Sequence, residues 1–284
     1  VTLPIRLLAI DIDGTLLNSK FSISAADLVA LKRVNELGIE LLLCTGRRHT
    51  FAMPISKQLG FDHWLCSSNG SVTRSSRGES FHRELLPVGI ARDLIKHMAD
   101  FRGRTVLTFD KETKGALVVE RTDELAMSVA RWLESNAAFI DHVVPIENCL
   151  TTDPLQAMFC GTIEAMRRVE SVLSEFPQLQ ELTILKTQYD ARDFCLLDVL
   201  YRDCSKGHAL ERWAQSRGIN KSEIMAIGDN YNDVEMLEVA GYPVIMGNAC
   251  AELKQRGWTE TLSNDECGVA AALEQVLGQE MVAQ

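Results

Sequence analysis

Residues 5–12 form an apolar run that ends at Asp13-Gly14, the pattern of a buried strand closing in a turn. Ser24 and Asp27 then resemble a capping box. Leu28, Leu31, Val34 and Leu37 recur every three residues along one helix face, and Gly38 is placed to stop that helix. Residues 39–44 read as a second apolar strand, with Thr45-Gly46-Arg47 in the loop at its end. Another helix runs to Leu59-Gly60, and a short strand follows at 64–66. Strand–helix–strand order of this kind implies parallel pairing with right-handed crossovers.

The rhythm changes between residues 84 and 201. Pro87 opens a helix to about residue 100, strand candidates follow at 105–109 and 116–120, and a helix spans 123 to about 137. Further strands are expected at 155–160, 181–187 and 194–200, with a helix over 163–176. Adjacent strands with few helices between them predict an antiparallel sheet with helices on one face. The βα rhythm then returns: a helix over 206–217 closed by Gly218, a strand at 224–227, a helix over 231–240, a strand at 243–246 and a final helix over 269–277. The chain is therefore expected to be of α/β class. A Rossmann-like, doubly wound parallel core (1–83 and 202–284) is interrupted by an inserted α+β domain (84–201).

Composition narrows the function. With 284 residues the chain is long enough for two packed domains, and 46% hydrophobic with 24% charged residues is the balance of a globular protein. A formal charge of −10, with the basic pairs Arg47-Arg48 and Arg167-Arg168 isolated, argues against a nucleic-acid partner. The eight cysteines show no Cys-x-x-Cys spacing and several sit in apolar runs, so buried reduced thiols are expected. The six histidines form no paired motif that would suit zinc. No apolar run approaches the roughly 18 residues of a membrane span. Asp11 and Asp13 interrupt the first run, so it is no signal sequence either. These features predict a cytoplasmic protein with no membrane partner; they do not specify an oligomeric state.

Three strand ends carry the residue types that phosphate chemistry needs: Asp11-Ile12-Asp13-Gly14-Thr15, then Thr45, then Gly228-Asp229. In open parallel sheets ligands bind at the carboxyl ends of strands, where strand order reverses. If the first strand lies between the other two, these loops meet. One of the two carboxylates can then attack phosphorus, while the other protonates the leaving oxygen and later activates water. Two carboxylates facing a phosphate dianion need a cation. Asp229 and Asp233 add oxygen ligands suited to Mg²⁺, and Lys206 with the Thr45 hydroxyl can stabilise the transferring phosphoryl group.

Taken together, Asp11-x-Asp13-Gly14-Thr15, Thr45-Gly46-Arg47, Lys206-Gly207 and Gly228-Asp229-x-x-Asn232-Asp233 resemble the four motifs of the haloacid dehalogenase superfamily, in the right order. An insertion between the second and third motifs resembles the C2B-capped, Cof-type branch (subfamily IIB) of sugar phosphatases. Ser68-Asn69-Gly70, Met246-Gly247-Asn248-Ala249 and Asn264-Asp265 before Gly268-Val269 agree with it. The resemblance implies a phosphatase of small phosphorylated metabolites with Asp11 as nucleophile and Asp13 as general acid/base. Mg²⁺ would be bound by Asp11, the Asp13 backbone carbonyl, Asp229 and, directly or through water, Asp233. Thr45, Gly46 and Lys206 would hold the phosphoryl group, with Asn232 as a further contact. Arg47 is open between substrate contact and a surface ion pair, Asn69-Gly70 reads as a hairpin turn lining the site, and Asn248 reads as a helix cap. The inserted domain would act as a lid, hinged near 83–86 and 201–205, that selects the substrate. Two rivals remain: a phosphosugar mutase of the same fold, and a non-catalytic phospho-acceptor, against which Asp13 argues because an adjacent base would discharge the phosphate.

Overall fold

Strand β1 (Leu7–Asp11) is buried along its length, and its alternate side chains serve opposite layers. Leu8 and Ile10 pack with one cluster, Leu7 and Ala9 with another. Helix α1 (Ala25–Glu36) follows, with the Ser24 hydroxyl accepting the Asp27 amide at its N-terminus and Gly38 at φ 76° just beyond its end. The Asp27 carboxylate does not close a reciprocal box. It accepts from Ser24 Oγ (2.7 Å) and from the Ala270 amide (2.8 Å), which ties α1 to the last helix of the chain. Next come β2 (Glu40–Cys44), α2 (His49–Ser56, continued by a 3-10 turn, Lys57–Leu59) and β3 (Trp64–Ser67). A turn at Ser68–Gly70, with Ser68 and Asn69 at φ 48° and 50°, reverses the chain into β4 (Val72–Ser75) and β5 (Ser80–Arg83). Both are antiparallel, with β5 at the edge of the sheet, and neither contains an apolar run that would mark it in the sequence.

The computed structural model describes residues 5–122, 132 and 134–278, and its contacts divide the chain into two compact units. Residues 84–204 make the second unit: α3 (Val88–His97), β6 (Thr105–Thr108), β7 (Leu117–Val119), β8 (Ile140–His142), β9 (Gln156–Gly161), α4 (Ile163–Leu173), β10 (Leu182–Tyr189) and β11 (Phe194–Tyr201). The helix expected over 123–137 falls for the most part outside the described residues. The sheet order is β10-β11-β9-β6-β7-β8. It is antiparallel as expected except that β7 and β8 run parallel; twenty residues separate the two in sequence, more than the dozen or so that a parallel pair requires. Leu94 and Ile95 of α3 and Met166 and Val169 of α4 pack on Leu107, Phe159 and Leu197 of the sheet. The boundary lies at Cys204/Ser205 rather than 201/202, because the amides of Arg202 and Cys204 bond back to Glu181 and Tyr201.

The first unit, residues 1–83 and 205–284, resumes with α5 (Lys206–Arg217), closed by Gly218 at φ 59°, and β12 (Ile224–Gly228). After a 3-10 turn (Tyr231–Asp233) come α6 (Val234–Val239), β13 (Tyr242–Ile245), α7 (Ala251–Lys254), β14 (Thr259–Glu260) and α8 (Gly268–Leu277). The eight strands lie in the order β14-β13-β12-β1-β2-β3-β4-β5. β1 pairs in parallel with β12 on one side and β2 on the other, so strand order reverses at β1. Helices α1, α2 and α8 cover one face against Ile10, Leu43 and Ile227; α5 and α6 cover the other through Leu210, Trp213, Met236 and Leu237. Each such buried side chain contributes about 1.5–3 kcal/mol relative to exposure. Five cysteines are buried as expected, whereas Cys149, Cys250 and Cys267 are partly exposed. Among the described residues no helix is long and apolar enough to cross a membrane.

Candidate active site

The three strand-end loops meet. Asp11 is the last residue of β1, Asp229 follows β12 beside it, Asp233 ends the 3-10 turn and Lys206 opens α5. All four are at most 5% exposed. One carboxylate oxygen from each of Asp11, Asp229 and Asp233 lies within 4.8 Å of the others. The Lys206 ammonium donates to Asp11 Oδ1 at 2.5 Å and to Asp233 Oδ1 at 2.7 Å. The other Asp233 oxygen accepts the amides of Asp229 (3.0 Å) and Asn230 (3.1 Å), which fixes the loop after β12. Asp229 Oδ1 accepts the Thr15 hydroxyl at 3.0 Å.

Burial sets the electrostatics. It pushes Asp11 up to about 7 from the usual 3.8, against the pull of Lys206 and with the help of the Asp233 and Asp13 charges. Burial, followed by the charges of Asp11 and Asp233, raises Asp229 well above the carboxylate range, although the Thr15 bond and Lys206 oppose it. Burial alone would discharge Lys206, but Asp11 and Asp233 outweigh it and hold the ammonium well above its ordinary value. One cation therefore faces three buried carboxylates. A set of three hard oxygen donors with excess negative charge and no histidine or cysteine fits a divalent ion such as Mg²⁺. Among the described residues, Asp11 Oδ2 and Asp229 Oδ2 carry no protein hydrogen bond, whereas both oxygens of Asp233 are engaged.

Asp13 stands apart. Gly14, at φ 84°, turns the chain so closely past Asp229 that a Cβ there would collide with the Asp229 carboxylate. The Asp13 side chain is excluded from the acidic cluster and is gripped by Arg47, Nε to Oδ2 at 2.7 Å and Nη2 to Oδ1 at 2.6 Å. Of the expected metal set of Asp11, Asp13, Asp229 and Asp233, the side chains of only three converge. Both members of the Asp13–Arg47 pair are about 30% exposed, so Arg47 is neither a free arm nor a fully solvated surface partner.

Thr45 is fully buried; its hydroxyl accepts the Arg47 amide (3.1 Å) and its carbonyl accepts that of Asn69 (3.0 Å). Asn69, expected in a turn lining the site, does more than turn the chain: its side-chain oxygen accepts from Asn232 Nδ2 at 3.1 Å and lies against Gly46, where a Cβ would come within 3.1 Å of it. Asn248 does not cap α7, whose N-cap is Cys250; its amide donates to the Gly14 carbonyl at 2.8 Å. Two further motif residues, Thr15 and Gly207, take their roles from the fold. Thr15 steadies Asp229, and Gly207 lets α5 approach Glu235 so closely that a Cβ would meet its backbone at 2.7 Å.

The profile of the haloacid dehalogenase-like hydrolases matches residues 8–273. The chain is 30% identical to the phosphatase YwpJ of Bacillus subtilis over 96% of its length and the whole of that protein. It is 30% identical to an HMP-PP phosphatase of Serratia proteamaculans, covering 88% of this chain and 86% of that one. Among solved structures, a haloacid dehalogenase-like hydrolase from B. subtilis superposes with a TM-score of 0.79 at 28% identity, over 96% of this chain and all of that one. The chain belongs to the haloacid dehalogenase-like hydrolases. Within them it is a phosphatase, a phosphoric monoester hydrolase.

Proposed function

We propose that the enzyme hydrolyses sugar phosphates or related metabolites by covalent catalysis on Asp11, with Mg²⁺ as cofactor. The observation that carries this reading is the buried Lys206 ammonium, shared between Asp11 and Asp233 at the end of the central strand. The Asp11 carboxylate attacks phosphorus, the phosphorus–ester oxygen bond breaks, and Asp13 delivers its proton to the departing oxygen. Asp13, now a base, takes a proton from water; that water attacks the aspartyl-phosphate, releasing phosphate and restoring Asp11. Lys206 and the Thr45 hydroxyl hold the phosphoryl oxygens, with Asn232, steadied by Asn69, as a further contact. Arg47 acts on Asp13, holding both carboxylate oxygens in one orientation until the substrate arrives. The side chains of Asp11 and Asp229, with Asp233 and the Asp13 carbonyl, would hold Mg²⁺, which would supply the positive charge that a carboxylate needs to approach a phosphate dianion. Residues 84–204 carry the groups that choose among substrates.

Acid quenching during turnover of a ³²P-labelled ester tests the covalent step. Label should remain on the wild-type chain, at up to one phosphate per molecule, and be absent from Asp11→Asn. Equal labelling of both, or turnover by Asp11→Asn near the wild-type rate, overturns the assignment.

A further inference from the structure

Asp13 lies beyond the last residue of β1, and its strand-type pairing is a single isolated bridge to Leu17. The residue after it is Gly14 at φ 84°, the residue type that least restricts its own backbone. Within the turn the amides of Leu16 and Leu17 bond back, to the carbonyls of Asp11 and Ile12 at 3.2 and 2.8 Å, and Leu17 forms isolated bridges with Asp13 and Ile23. The turn is also held from outside, at the carbonyls of Gly14 and Leu17, by two asparagines. Asn248 Nδ2 donates to the Gly14 carbonyl at 2.8 Å, and Asn264 Nδ2 donates to the Leu17 carbonyl at 2.8 Å. The two arms are joined, because Asn248 Oδ1 accepts the Asn264 amide at 2.9 Å. Asp265 extends the grip by accepting the Ser19 amide at 2.8 Å.

The clamp is anchored to the acidic cluster itself. The Cys250 amide donates to the Asp229 carbonyl at 3.0 Å, and the Gly247 amide to the Leu262 carbonyl at 3.0 Å. Asn248 therefore sits between a chain segment pinned to Asp229 and the Gly14–Thr15 peptide, one residue beyond Asp13. We propose that Asn248 and Asn264 are positioning residues for Asp13, setting the place of its carboxylate relative to Asp11 and Asp229. The inference rests on the reading of Asp13 as general acid. A carboxamide is required at 248 because one end must donate to a carbonyl while the other accepts an amide. A carboxylate of the same shape keeps the second contact and sets oxygen against oxygen at the first. Asn248 is exposed, so as a mere staple it would contribute little to stability. A small displacement of an acid from a leaving oxygen, by contrast, is felt strongly in rate.

Leaving-group dependence separates the two roles. General acid catalysis matters most when the departing oxygen is strongly basic, and its loss costs on the order of 10²–10⁴-fold. The purified enzyme with Mg²⁺ should be assayed on p-nitrophenyl phosphate, whose leaving group needs little protonation, and on an alkyl phosphate. Asn248→Asp and Asn264→Ala should each lower kcat on the alkyl ester by about tenfold or more and on the aryl ester by less than about threefold, a fraction of the full acid effect. In an Asp13→Asn background, Asn248→Asp should add no further loss on the alkyl ester. The Asp13→Asn single variant is the control: if it loses both esters equally, the acid role of Asp13 fails. If that control shows the leaving-group bias while the asparagine variants show none, or add their full loss on top of Asp13→Asn, the clamp is overturned and the acid role stands. Should Asn248→Asp fail to fold, Asn264→Ala, which removes only the Leu17 arm, reads the same bias.

Discussion

Replacing Asp11 by asparagine is predicted to make the metal-free protein more stable while it abolishes turnover. Asp11 is 4% exposed, and burial is the largest cause that raises its carboxyl from 3.8 to about 7. Below the unfolded value both states are protonated and the site has no penalty. As pH rises from about 4 to 7 the unfolded chain releases this proton before the native chain does. Native Asp11 therefore holds more protons over that window, and unfolding free energy falls with pH through it. The shift of about three pK units corresponds to an upper bound of about 4 kcal/mol. Lys206 loses an anionic partner in the variant, and the proton is shared within a cluster that includes Asp229 and Asp233, so the net gain should be about 2 kcal/mol. For a chain of this size that is about 4–8 °C in melting temperature.

The assay is thermal or urea unfolding of wild type and Asp11→Asn in EDTA between pH 4 and 8.5. The stability gap should be largest at the alkaline end and close as pH falls toward 4. Added Mg²⁺ should raise the wild type at pH 8 by mass action and the variant much less. A variant no more stable than wild type at pH 8 in EDTA, or a gap that widens as pH falls, would refute the argument that buried charge dominates this site.

Three further outcomes follow from particular contacts. Arg47→Ala should lower kcat by about tenfold or more with little change in KM, because Asp13 loses its orienting fork, and Arg47→Lys should not restore it since an ammonium cannot hold both oxygens; wild-type kcat in Arg47→Lys would count against this. Lys206→Met should destabilise the protein by about 3–5 kcal/mol in EDTA at pH 8, measured by urea unfolding, because two buried carboxylates lose their common cation; a loss below about 1 kcal/mol would show that water already neutralises the cluster. Removing residues 84–204, with a short linker from Arg83 to Ser205, should leave a core that hydrolyses p-nitrophenyl phosphate but no longer ranks larger phosphate esters, and an unchanged ranking in that core would return specificity to the loops around Arg47 and Asn69.

What the sequence disclosed and what it hid have one physical cause. β1, β2 and β12 lie between two helical layers, so both of their faces are apolar and the runs stand out. Because the site lies where those runs stop, Asp11, Thr45 and Asp229 could be read from the strand ends alone. β4, β5, β8 and β14 are two to four residues long and carry mixed polarity, so no period distinguishes them from loop. Asn248 and Asp27 escaped for a different reason: their partners lie 234 and 243 residues away, and a carboxamide or carboxylate beside a helix start looks the same whether it caps that helix or reaches across the sheet. Asp11 and Asp13 show the limit most clearly. Two residues apart, they read as a pair of like groups converging on one site. The fold separates them, Asp11 inward to Lys206 in a buried cluster and Asp13 outward to Arg47 at a partly solvated rim. A nucleophile gains from being fixed and desolvated beside a cation, whereas an acid that must trade protons with substrate and water needs a wet approach. On the proposed mechanism, the choice between those surroundings falls to Gly14, Asn248 and Arg47, and it is there, rather than in the carboxylates themselves, that the proposed division of chemical roles is encoded.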